Sequence, residues 1–263
     1  MIQASKYASR FLVAVALVLG ALHSSPSATH SWNGYHWART ANPFTINLGN
    51  NMSSDWQQYL VVASADWSAS NVLDTTIAAG GTTPKNCRPT AGRVEVCNSN
   101  YRNTGWLGIA QIWVSGTHIT QGTTKVNDYY FAWPQYSSNA WRQFVTCQEI
   151  GHTFGLAHQD ENFSNVNLGS CMDYTNDPDG TIHGWLDNTH PNAHDYEELE
   201  IIYNSHLDAS TTIKSSPGAS GVNLDSPSEW GQSMRGSRGG GRTQVFERDF
   251  GNGQRVVTFV IWA

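Results

Sequence analysis

Charge is scarce in this chain: Asp, Glu, Lys and Arg make up 14% of its 263 residues. The balance is acidic, with 15 basic against 21 acidic residues and a net charge of −6. That excludes the basic face a nucleic-acid-binding protein needs. The one basic stretch, Arg235 to Arg242, is short and Gly/Ser-rich and reads as a flexible connector. Long apolar runs are also missing. The longest, Phe11 to Leu22, falls short of the ~20 residues a bilayer-spanning helix requires. Lys6 and Arg10 precede that run, and the small residues Ser25, Ser27 and Ala28 follow it. This order is that of a secretory signal peptide over residues 1–28. The expected mature protein is secreted and extracellular, is not in a membrane, and is a monomer.

Cysteine is limited to Cys87, Cys97, Cys147 and Cys171. An even count in an oxidising compartment favours disulfides over metal thiolates or a catalytic thiol. Of the three possible pairings, Cys87–Cys97 closes a short loop containing Pro89 and Gly92, which leaves Cys147–Cys171. Aromatic residues, by contrast, are plentiful: eleven Trp, ten Tyr and nine Phe within a 39% hydrophobic composition. That is enough to build a core, so disorder along the whole chain is excluded.

Periodicity places the elements. Phe44, Ile46 and Leu48 alternate in a first strand. Ser53 or Ser54 caps a helix carrying Trp56, Leu60, Ala63 and Trp67 on one face. Val72–Ala78 reads as a strand, 80–105 as a loop region, Leu107–Val114 as a short apolar strand and 116–131 as extended chain. Asn139–His152 is predicted as a helix stopped by Gly155. Residues 159–190 show little periodicity, and a further helix then carries Tyr196, Leu199, Tyr203 and Leu207. A Gly/Ser-rich linker is expected over 210–242, separating a domain at 29–209 from a hairpin at 243–263. The hairpin turns at Gly251-Asn252-Gly253 and should dock back on the domain, because a lone hairpin is marginally stable. The fold class is α+β, with a twisted mixed sheet.

The chemistry lies in Gln148-Glu149-Ile150-Gly151-His152-Thr153-Phe154-Gly155-Leu156-Ala157-His158. Helical residues at i and i+4 project from one face, so Gln148 and His152 can converge. Gly155 can take a positive φ and turn the chain so that His158 returns to the same point. Three ligands with an open position form the layout of a catalytic zinc site. The segment resembles the metzincin clan of zinc endopeptidases, whose pattern is H-E-x-x-H-x-x-G-x-x-H followed by a Met-turn. Glu149, His152, Gly155 and His158 match it. Ser170-Cys171-Met172-Asp173-Tyr174 is similar to the Met-turn, in the S-x-M-x-Y form of astacin-like and serralysin-like families. The order of elements over 35–208 is most like matrixins. The resemblance implies a metzincin-like zinc-peptidase fold in which Zn2+ is held by positions 148, 152 and 158. It further implies Glu149 as general base, Met172 as an apolar floor, and Tyr174 as an occasional ligand that swings to stabilise an oxyanion. An extended peptide or protein substrate would lie along an edge strand, for which 107–114 is the candidate.

The departure is Gln148, where the family has histidine. A neutral amide oxygen is a poorer zinc donor than imidazole. Three outcomes are open: Gln148 ligates a weaker or different metal, water or Tyr174 fills the gap, or the site is metal-free. In the last case the chain is a catalytically silent metzincin-fold protein that binds peptides or an extracellular partner. His30, His36, His118, His183, His190, His194 and His206 read as surface or core residues, although a second metal near 183–194 is conceivable. Asp160, Glu161, Asp177 and Asp179 offer oxygen ligands for Ca2+, but without EF-hand spacing they read as solvated loop carboxylates.

Overall fold

The computed structural model describes residues 30–211, 224–234, 238–239 and 242–263. The expected signal segment lies outside them, as does most of the expected linker. The chain forms β1 (His36–Trp37), β2 (Phe44–Asn51), α1 (Ser54–Trp67), β3 (Leu73–Ala79), β4 (Arg93–Ser99), β5 (Trp106–Ser115), β6 (His118–Asn127) and α2 (Asp128–Phe131). It continues as α3 (Asn139–His152), α4 (Ala193–Asn204), β7 (Gln232–Ser233), β8 (Arg238–Gly239), β9 (Arg242–Thr243), β10 (Val245–Gly251) and β11 (Gln254–Trp262). One nine-stranded sheet runs β3-β2-β4-β6-β5-β11-β10-β7, with β1 paired to β6; β8 and β9 form a separate ladder. From β3 to β6 the strands are parallel, and from β6 through β7 they are antiparallel. This is the α+β arrangement with a mixed sheet that the sequence implies.

Helix α1 buries Trp56, Tyr59, Leu60, Ala63 and Trp67, at i, i+3, i+4, i+7 and i+11, and so presents one apolar stripe. It packs on α3, where the Trp67 indole donates to the Cys147 carbonyl (3.2 Å). Both expected disulfides, Cys87–Cys97 and Cys147–Cys171, are present. The second ties α3 to the segment bearing Met172.

Several elements differ from expectation. The supposed loop at 80–105 contains β4, which lies between β2 and β6. Its polar residues are buried but partnered: the Glu95 carboxylate accepts from Asn51 Nδ2 (2.6 Å) and Gly81 N (3.1 Å). The extended run ends earlier than read, because the Asn127 side chain accepts from Tyr129 N and starts the single turn of α2. Helix α4 stops at Asn204, which leaves Leu207 off its face and 55% exposed. Part of the linker is packed, with Leu224 and Trp230 buried and the Trp230 indole donating to Leu224 O (2.7 Å).

The largest correction concerns the proposed substrate edge. Strand β5 is not an edge: β6 pairs with one side, and β11 pairs antiparallel with the other from Gln254↔Ser115 to Trp262↔Trp106. A bare edge carries unpaired N–H and C=O groups, and here the C-terminal hairpin satisfies them. Asn252, with φ +52°, lies between two positive-φ glycines at its turn.

Candidate functional site

Helix α3 starts where the Ser138 hydroxyl accepts from Trp141 N (3.2 Å), satisfying one of the donors a helix start leaves free. It runs to His152 and breaks at Gly155, whose φ is +94°. A Cβ there would also lie 2.1 Å from the Tyr35 carbonyl oxygen, so only glycine fits. The chain then turns back and brings the His158 ring to 4.5 Å from His152, edge to face at 89°. Residues 159 and 160 run beside the Met172 segment: Gln159 N donates to Met172 O (2.7 Å), and Tyr174 N to Asp160 O (3.1 Å). Ser170 Oγ donates to Asp195 Oδ2 (2.6 Å), which fastens that segment to α4.

Each motif side chain is buried and oriented. Gln148 Nε2 donates to Cys171 O (2.8 Å), which leaves Oε1 as the free atom. His152 Nδ1 donates to Leu156 O (2.8 Å). A carbonyl can only accept, so the proton is on Nδ1 and Nε2 keeps its lone pair. His158 Nδ1 lies 3.6 Å from Glu161 Oε1, beyond hydrogen-bond length. Gln148 Oε1, both Glu149 oxygens, His152 Nε2 and His158 Nε2 are all buried without a hydrogen-bond partner. Each such atom costs about 1–3 kcal/mol if nothing answers it. The site therefore suits a divalent cation taken by Gln148 Oε1 and the two Nε2 atoms, with Glu149 beside it.

Burial sets the electrostatics. Loss of solvent pushes the Glu149 carboxyl well above its usual range, and the nearby Ile261 amide offsets this only in part. Desolvation, then the neighbouring His158, hold His152 well below the ordinary imidazole value. Desolvation, then His30, lower His158 to about 3. Both rings are thus neutral, the form that binds metals.

Met172 is fully buried, and its Sδ lies 2.6 Å from where a Cβ at Gly151 would be. It therefore presses on α3 between Glu149 and His152. Tyr174, also fully buried, lies against His158 (4.4 Å between rings). Its hydroxyl donates to Val260 O (2.9 Å), a backbone atom of β11. Phe259, the residue before, stacks flat on His152 at 4.2 Å and 6°. Strand β11 therefore covers the site and fills the row beside β5.

Two participants were invisible in the sequence. Gly108 on β5 makes room for the Glu149 carboxyl, since a Cβ there would lie 2.7 Å from Glu149 Oε1. Phe259 belongs to a hairpin whose sequence carries no sign of its target. The histidines at 183–194 do not gather: His190 pairs with Asp66 (2.7 Å), His194 faces Glu197 (3.7 Å), and His183 lies against Trp185. Among the offered calcium ligands, Asp160, Asp177 and Asp179 accept hydrogen bonds from their own turns. Among the described residues, one group of three His, Cys, Asp or Glu side chains has donor atoms all within 4.8 Å of one another: His36, His118 and Asp208.

No protein-family model matches the chain, and no curated protein matches it. Among solved structures it is similar to myroilysin, at 12% identity over 67% of this chain and 99% of that one, with a TM-score of 0.38. It is also similar to high choriolytic enzyme 1, a hatching-enzyme zinc protease of the medaka fish Oryzias latipes. That match has 11% identity over 65% and 95% of the two chains, with a TM-score of 0.37. Overlap this slight carries no weight for the chemistry, which stands on the chain's own residues.

Proposed function

We propose that the chain is a secreted, zinc-dependent endopeptidase of the metzincin kind, held closed in the conformation described by its own C-terminal strand. The observation that carries this reading is the set of buried, unpaired donor atoms on Gln148, Glu149, His152 and His158. Two disulfides support export. A zinc ion held by Gln148, His152 and His158 would supply Lewis acidity to a carbonyl and to water. Glu149, whose carboxyl burial raises well above its usual range, takes a proton from water and returns it to the leaving amine. Tyr174, released from Val260, donates to the developing oxyanion. Substrate pairs with β5 in place of β11, as an added strand, so the hairpin must leave before a peptide enters.

The test measures zinc content and casein hydrolysis on the full chain, on His152→Ala and on two variants that open the site. Phe259→Ala removes the ring stacked on His152, and the second variant adds Glu149→Ala to it. Zinc that is lost with His152→Ala, cleavage that rises in Phe259→Ala, and its loss in the double variant support the proposal. Absence of both zinc and cleavage, even after zinc is added, would sink it. The second reading, a silent metzincin-fold protein that binds peptides or an extracellular partner, is favoured by the long β5–β11 ladder. No zinc at the motif and no cleavage in Phe259→Ala, even after zinc is added, would select it.

A further inference from the structure

A second histidine cluster lies away from the motif. β1 and β6 pair in parallel with His36 opposite His118, so their side chains leave the same face of the sheet. The chain beyond α4 brings His206 and Asp208 to the same place, and Arg39 clamps it there. Arg39 is fully buried and donates to Tyr203 O (2.7 Å), His206 O (2.5 Å) and Asp208 Oδ2 (3.1 Å). Asp208 N in turn donates to Arg39 O (2.8 Å).

The donor atoms converge. His36 Nε2 is 3.2 Å from His206 Nε2, and His118 Nε2 is 2.9 Å from Asp208 Oδ1. His206 Nε2 lies 3.8 Å from the same oxygen. A tetrahedral ion with bonds of about 2.05 Å needs ligand atoms roughly 3.3 Å apart, and these three separations bracket that value; His36, His118 and Asp208 have ligand atoms all within 4.8 Å of one another, and His206 approaches from the His36 and Asp208 side. Orientation agrees with spacing. His36 Nδ1 donates to Gly34 O (2.7 Å), which fixes the tautomer and leaves the Nε2 lone pair facing the cluster. Arg39 occupies Asp208 Oδ2 and leaves Oδ1 for the ion. Two imidazole Nε2 atoms at 3.2 Å cannot both be acceptors without a proton or a cation between them.

We propose that His36, His118, His206 and Asp208 form a structural zinc site that ties the chain leaving α4 to the sheet. Four protein ligands close the coordination shell, which is the structural rather than the catalytic arrangement. His118 and His206 keep 39% and 47% of their side-chain surface exposed, so an ion can enter without unfolding. The site stands whether or not the motif binds metal.

The experiment uses the full chain, stripped by chelator and then titrated with Zn2+, beside His118→Ala, His206→Ala and His152→Ala. Both surface histidines are half-exposed, so their variants should match the wild type in thermal midpoint while chelator is present, which also checks folding. The expected result is that each loses one zinc equivalent, with affinity at that site falling about 100-fold or more, while His152→Ala keeps it. Tetrahedral Co2+ bands that vanish in His206→Ala but persist in His152→Ala would add support. Unchanged zinc stoichiometry and affinity in both His118→Ala and His206→Ala would overturn the proposal.

Discussion

The two histidine clusters share imidazole nitrogens and differ in burial, in ligand number and in the oxygen that completes each set. The motif cluster is sealed: Gln148, Glu149 and His152 are fully buried, beneath a strand from the far end of the chain. The His36 cluster sits at the surface with two rings half in water. The first is poor in ligands, having two imidazoles and an amide, whereas the second has three imidazoles and a carboxylate. By donor chemistry alone the surface cluster should hold zinc more tightly, and by burial alone the motif cluster should release it more slowly. Burial, not ligand count, is what keeps unpaired donors at the motif from being answered by water.

The largest test of that contrast is catalytic. In a chain opened by Phe259→Ala, Glu149→Ala should lower casein hydrolysis by about 10²–10⁴-fold, whereas His118→Ala should leave it unchanged. Equal loss from both would make the surface cluster part of the active site and break the comparison. Chelator exchange sharpens it next. Zinc should leave the motif site about tenfold or more slowly than the surface site, because β11 must open first. Equal rates, read by stopped-flow with a chromogenic chelator, would mean that the strand does not seal the site.

Stability separates the regions further. Phe259 is fully buried against His152 and Trp32, and its truncation to alanine should cost about 3–5 kcal/mol in denaturant. His118→Ala in chelator should stay within about 0.5 kcal/mol of the parent. The smallest effect expected is from Gln148→His, which should tighten zinc at the motif and leave the surface site as it was. No change in affinity at the motif would show that Gln148 does not face the ion.

What could be read from the sequence follows from distance along the chain. The motif helix, its glycine stop and the pairing of Cys147 with Cys171 are local, and period and redox logic reach them. Strand β4 was hidden because Arg93–Ser99 carries buried polar residues, Glu95 and Asn98, that look like loop until Asn51, Gly81 and Asp128 answer them. The covering of β5 by β11 joins residues such as Gln111 and Thr258, 147 positions apart, and no local pattern announces that pairing. The surface cluster joins His36 to His206 across 170 positions. Single histidines scattered among eight non-motif ones carry no spacing signal, so they read as ordinary surface.

The most direct measurement is the zinc content of the His206→Ala chain, which isolates the motif site, after dialysis against a weak chelator. The account predicts about one equivalent per chain, abolished by adding His152→Ala. A His206→Ala chain that retains no zinc, and takes up none when zinc is supplied, would contradict it.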